Sequence, residues 1–179
     1  MKKTITLIFL IAGFNLLNSC KGHPNKESHE MIINKQSKMD SSITLEKIVF
    51  STGACLGTCP VMAIEFDKEG NYKFLGVHNA PKEGSYTGTI PKEIIKQTED
   101  LLNKAKIESL AYHYYLPDDA PARELIIYYN NQKKKKITGI GDAPESLWNL
   151  IFFIQSSVDK ATLKKSKQKL EFESHVYEK

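Results

Sequence analysis

"CLGTCPVMAIEFDKEGNYKFLGV", residues 55–77, decides the fold, because everything turns on whether the chain beyond the second cysteine is helix or strand. In "VMAIEFD", Met62, Ile64 and Phe66 fall on one side at period two while Glu65 and Asp67 fall on the other, the alternation of a half-buried strand. "KEGN" then reads as a turn in which Gly70 can take a positive φ, and "YKFLGV" returns as its partner, so the stretch is a β-hairpin. Working outward, "ITLEKIVFS" (43–51) is rich in branched residues and reads as a strand before the cysteines. "GSYTGTI" (84–90) reads as a fourth strand whose glycines place it at an edge or a bend.

Helical signals follow. Pro91 suits a first helical turn, Glu93 sits near the positive end of the dipole, and Ile94, Thr98, Leu101, Leu102 and Ala105 recur at helical spacing over 91–106. "AYHYYLPDDAPA" (111–122) reads as a loop, "RELIIYYNN" as a strongly apolar strand, and "KKKKITGI" as its partner across a turn. "DAPE" (142–145) has the form of a capping box in which Asp142 accepts from the helix start and Glu145 reaches back. The helix it opens, "SLWNLIFFIQSSVD", is apolar nearly all round and is expected to be the most buried. After Asp159 the chain turns basic and polar, and "KLEFESHVY" alternates well enough for a last strand or a docked tail. The order ββββαββα predicts an α+β domain: a mainly antiparallel sheet with two helices packed on one face.

The beginning of the chain bears on compartment. Met1-Lys2-Lys3 and the apolar stretch "TITLIFLIAGFNLL" (4–17) have the form of a signal peptide, too short for a membrane span of about 20 residues. "LNSC", Leu17-Asn18-Ser19-Cys20, resembles the lipobox of bacterial lipoproteins. That resemblance implies cleavage before Cys20, a diacylglycerol on its sulfur and an acylated amine, so the partner it implies is the lipid bilayer. Lys21 follows Cys20 where an inner-membrane retention signal would carry aspartate, so the expected place is the outer membrane, facing the periplasm. The predicted organisation is a signal peptide over 1–19, a lipidated cysteine and flexible tether over 20–42, one domain over 43–159, and a polar tail over 160–179. With 25 Lys+Arg against 21 Asp+Glu, loss of Lys2 and Lys3 takes the net charge from +4 to +2. A balance so small gives no reason to expect nucleic acid as a partner.

The cysteines can then be weighed. "CLGTCPVMAIEFDKEGNYKFLG", with "DDAPARELIIYYNN" and a terminal helix, resembles the bacterial family catalogued as domain of unknown function 6438. Cys55, Gly57, Cys59, Pro60 and Gly70 match its pattern, and Met62 stands where that pattern has an aromatic residue. The resemblance covers about 43–160 and implies a fold unit without an activity. With Cys20 acylated, Cys55 and Cys59 remain as an even pair in an exported chain, which favours a disulfide. Four extended steps would separate them by about 13 Å, against the 4.4–6.8 Å a disulfide needs, so the segment must turn back at Leu56-Gly57-Thr58, and Gly57 is expected to make that possible. The alternatives are a reversible dithiol, a Cu(I) site completed by His78 or His113, and two plain thiols. The copper reading takes its spacing from thioredoxin-like copper chaperones, which need a helix where "VMAIEFD" reads as strand.

Other features carry plainer expectations. Lys133, Lys134, Lys135 and Lys136 could grip phosphate, but are expected to guard an edge strand. Tyr112, His113, Tyr114 and Tyr115 read as a packed loop, Asp118 and Asp119 as a turn, Trp148 as core, and His23 and His29 as solvated tether residues. Neither a nucleophile elbow nor HExxH spacing is present. The expected function is therefore a membrane-anchored envelope lipoprotein acting as a non-catalytic binding or structural module for an envelope protein or ligand, with no cofactor or metal. The alternative is a thiol-redox or copper protein using Cys55 and Cys59.

Overall fold

The computed structural model describes residues 42–178; Cys20, His23 and His29 lie outside them. Seven strands form one sheet: β1 (Leu45–Thr52), β2 (Val61–Asp67), β3 (Asn71–His78), β4 (Gly84–Thr89), β5 (Arg123–Tyr129), β6 (Lys133–Thr138) and β7 (Thr162–Lys165). Their spatial order is β6-β5-β1-β2-β3-β4-β7, every neighbouring pair antiparallel. Helices α1 (Lys92–Lys104) and α2 (Glu145–Ser156) follow β4 and β6 respectively, so the architecture is the expected α+β arrangement with one further strand.

The period-two pattern of residues 61–67 decides the geometry as expected. Met62, Ile64 and Phe66 are buried in the main core with Ile48 and Phe50 of β1, Tyr72 and Phe74 of β3, and the inner faces of both helices. The hairpin turn is built by the side chain of Asp67, whose Oδ1 accepts from the N–H groups of Glu69 and Asn71. Gly70 has φ +91°, and a Cβ there would lie 2.9 Å from the Ile90 carbonyl oxygen, so both backbone freedom and space require glycine. Polar groups of α1 dock the start of β1: Asn103 Oδ1 accepts from Ile43 N–H at 2.9 Å and Glu99 Oε1 from Leu45 N–H at 2.8 Å.

One local expectation is corrected and three are sharpened. The Asp142–Glu145 capping box does not form: Pro144 takes the N-cap position of α2, with no side-chain cap. Proline lacks an N–H and disfavours helix at the residue before it, so the helix begins after Pro144 and Asp142 stands too far ahead to cap it. Helix α2 is, as expected, the more buried of the two, with Leu147, Leu150, Ile151 and Ile154 in the core, yet it packs by one face and leaves Phe152 59% exposed. Strand β4 is not an edge, since β7 pairs with it from Tyr86↔Lys165 to Thr89↔Thr162. Gly88 marks that close approach: a Cβ there would lie 1.9 Å from the Thr162 carbonyl oxygen. Finally, of the two readings of "KLEFESHVY" the docked tail holds and the last strand does not. The tail crosses the sheet face opposite the helices, where Leu170, Phe172 and Tyr177 cover Val49, Val61, Ala63 and Ile126.

Candidate functional site

The loop between β1 and β2, the two central strands, carries the cysteines. Its base is held on both sides. Gly53 N–H donates to the Ala122 carbonyl at 2.9 Å, and a Cβ on Gly53 would come within 2.6 Å of the Val176 carbonyl oxygen. Beyond it, Cys55 and Cys59 are joined by a disulfide, their Cα atoms 5.8 Å apart. The chain therefore does turn back at Leu56-Gly57-Thr58, but not by means of glycine's left-handed freedom. Gly57 lies outside the positive-φ residues, and a Cβ there would meet only the Cys55 sulfur, at 3.9 Å. Its N–H instead points at that sulfur, at 3.3 Å. The three tip residues are exposed, Leu56 at 87%, whereas both cysteines are half-buried. Pro60 delivers the chain into β2, where a bulge between Val61 and Met62 bends the start of the strand.

Beside Pro60, where the loop enters β2, lies an open cleft of about 350 Å³ lined by Pro60, Met62, Asn79, Ala80, Pro81 and, from α2, Gln155. At the same end of the sheet, Thr52 pairs with Met62 on one side and with Arg123 on the other. The Arg123 guanidinium stands over the Trp148 indole, 4.8 Å from the ring centroid, and Trp148 stacks on Phe152 at 5.4 Å. Burial holds the Arg123 pKa below its ordinary value. Trp148, expected in the core, is half-buried at its margin.

The remaining sequence candidates fall as follows. His78 faces Val61 in the β2–β3 register and is exposed. The His113 ring Nδ1 shares a hydrogen bond with the Thr138 hydroxyl at 3.0 Å, and residue 113 bridges to the end of β6. Among the described residues no three His, Cys, Asp or Glu side chains converge as metal ligands. Asp118 and Asp119 occupy the middle of a turn closed by Ala120 N–H to the Pro117 carbonyl. The four lysines do lie on an edge strand, β6, and each has a partner. Lys133 pairs with Glu108, Lys134 with Glu173 and Lys136 with Glu124, while buried Lys135 donates to the Leu110 carbonyl and lies over Tyr112.

Sequence reasoning passed over Arg123, although one signal was available: it is the single arginine among 25 Lys and Arg. Its neighbours in space, at positions 52 and 148, are distant in sequence. Among curated proteins, none matches the chain. A family model described as "Domain of unknown function (DUF6438)" matches residues 46–158, spanning β1 to α2 together with the disulfide-closed loop and leaving β7 and the tail outside. The chain belongs to the DUF6438 family.

Proposed function

We propose that the protein is an exported lipoprotein, held in the outer membrane on the periplasmic side by acyl chains on Cys20, and that its folded domain is a non-catalytic binding module. One observation carries the reading: the Cys55–Cys59 disulfide. A bonded pair at a half-exposed loop suits an oxidising compartment, which is where the signal-like residues 1–19 and Leu17-Asn18-Ser19-Cys20 would deliver the chain. With Cys20 acylated, no thiol is left over. Each acyl chain supplies about 0.8 kcal/mol per buried CH₂, and the polar stretch over 21–42 would give the domain a reach of roughly 25 Å from the bilayer. The occupant of the module is an envelope protein or ligand, not nucleic acid.

Two experiments test this. Cys20→Ala should release the protein from membranes and abolish fatty-acid labelling; a variant still bound and labelled refutes the anchor. Alkylation of the purified protein without reductant should leave two cysteines blocked. The half-exposed cysteines favour one second reading, exchange with an external thiol, because a small thiolate can reach them. Near-complete alkylation, or one equivalent of copper retained and then lost in Cys59→Ser, would replace the structural disulfide with a working dithiol or metal site.

A further inference from the structure

Arg123 differs from most of the cations whose partners are described; like Lys135, which donates to the Leu110 carbonyl and lies over Tyr112, it meets an aromatic ring and, among the described residues, no carboxylate, but unlike Lys135 it is a planar fork of donors. Lys47, Lys73, Lys133, Lys134 and Lys136 each reach a carboxylate. Among the described residues, no carboxylate lies within ion-pair distance of the Arg123 guanidinium, whose one hydrogen bond is a long 3.4 Å contact from Nη1 to the Pro121 carbonyl. The neighbouring Glu124 is engaged by Lys136 at 2.8 Å. Stacking over Trp148 occupies the flat face of the guanidinium and leaves its edge, where the N–H donors lie, for something else. A cation that only had to be solvated would be served by lysine, as it is elsewhere in this chain.

Two measures of length then coincide. The registers Arg123↔Thr52 and Thr52↔Met62 set Arg123 and Met62 two strands apart, about 10 Å. Along α2, Trp148, Phe152 and Gln155 stand at i, i+4 and i+7, a stripe about 10 Å long. The stripe runs from the residue under Arg123 to the residue lining the cleft beside Met62. Phe152 lies between, stacked on Trp148 and 59% exposed. A cationic fork, an aromatic shelf and a cleft with apolar walls therefore lie in line at the end of the sheet that carries the disulfide-closed loop.

We propose that this line is a binding site for the C-terminal end of a peptide. Its terminal carboxylate is held by Arg123, its chain lies across Phe152, and an apolar side chain two residues upstream enters the cleft. About 10 Å is the span of three extended residues. A guanidinium edge matches a carboxylate with two parallel hydrogen bonds. Pro60, Met62, Ala80 and Pro81 provide apolar walls, and Asn79 and Gln155 provide side-chain amides that can donate to and accept from peptide groups. The assignment rests on reading the domain as a binding module and names that module's ligand class.

Trp148 is the only tryptophan in the chain, so its fluorescence reports on the site directly. The full-length acylated protein in detergent micelles is titrated with acetyl-Leu-Ala-Ala as the free acid and as the C-terminal amide. The acid should change Trp148 emission saturably, and the amide should bind at least about tenfold more weakly. Arg123→Lys and Arg123→Gln should each weaken the acid by about tenfold or more, and Phe152→Ser, at an exposed position, by about threefold. Equal affinity for acid and amide, an undiminished Arg123→Gln, or no saturable change overturns the proposal. Glucuronate bound more tightly than the peptide overturns it as well. If Arg123→Gln does not fold, the acid–amide comparison on the unaltered protein still decides. A failed titration on protein with an intact disulfide and acylated Cys20 removes this site alone; free Cys55 and Cys59 remove the module reading whatever Trp148 reports.

Discussion

Replacing both Cys55 and Cys59 with serine removes a ring of five residues and very little else. The base of the loop is pinned independently, by the Thr52↔Met62 pairing and by Gly53 N–H on the Ala122 carbonyl, so the fold should survive. Both cysteines are half-buried, and serine there leaves no polar group stranded from water. The remaining effect is the entropy that the unfolded chain regains. On the chain-entropy model a five-residue ring corresponds to about 2 kcal/mol at 25 °C. In urea this should appear as a lower midpoint with nearly unchanged slope, since so small a ring barely alters the surface exposed on unfolding. For a domain of this size the same loss lowers Tm by about 5–8 °C. Reducing the unaltered protein with dithiothreitol should reproduce the double variant. A loss above about 4 kcal/mol would show that the ring organises the central hairpin, and no loss would show that the loop is equally constrained without it; either result refutes the reasoning.

Three further outcomes are expected. Glu173 joins the tail to the sheet through Lys134 and the Tyr128 hydroxyl, and although desolvation raises its pKa, those two bonds outweigh it and hold it below the ordinary 4.5. Its stabilisation is thus present above pH 4.5 and lost as pH falls through the depressed value, so Glu173→Gln should cost up to about 1 kcal/mol in urea at neutral pH and converge with the unaltered protein in acid. Burial pushes the Tyr72 phenol far above its ordinary 10.0 despite its 2.7 Å bond to the Ser157 hydroxyl. Tyr72→Phe should therefore cost about 1 kcal/mol near neutrality, yet escape the stability loss that the unaltered protein shows as pH rises above 10. Gly88→Ala brings a methyl against the Thr162 carbonyl and should cost about 1–3 kcal/mol, with faster amide exchange confined to β4 and β7; unchanged exchange there would show that β7 gives way freely.

The parts of the fold that were legible in the sequence are those whose cause is local. The alternation over Met62, Ile64 and Phe66 and the helical stripe of α1 each state one element's inner face, which is found in the core, and the Gly70 turn states where the hairpin reverses, which its φ of +91° fulfils. What depended on a distant partner was not legible. Alternation along "KLEFESHVY" is real, with Leu170, Phe172 and Ser174 buried, but period two reports a covered face and cannot say whether a strand neighbour or a sheet surface covers it. Gly88 marks a close backbone approach, whereas glycine within a strand pattern points equally to an edge or a bend. The turn at Gly57 needed no glycine, because the return of the chain is compatible with ordinary backbone angles. Arg123 could be noticed only as an odd residue; its contact with Trp148 exists only once β5 and α2 are in place.

Where recognition can occur follows from what the fold has already covered. One sheet face lies under both helices, and the tail covers the centre of the other, leaving, among the described residues, only its β3–β4 side, with Val77 and Thr87, exposed. The β6 edge carries four lysines engaged by their own partners, and β7 at the opposite edge is four residues long with Lys164 and Lys165 upon it, a poor template for an added strand. The ends of the strands remain as well. At one end, tight turns over 68–70 and 130–132 close two hairpins. At the other, the disulfide-closed loop, residues 79–81 and the start of β5 meet the outer stripe of α2. The disulfide is thus explained by position as much as by stability: it stiffens the central loop at the end where the exposed Leu56, Phe152 and the half-buried Arg123 collect. A loop ordered beforehand loses less entropy on meeting a partner than a free one, which gives a small ring at this place a use that its modest contribution to stability does not supply.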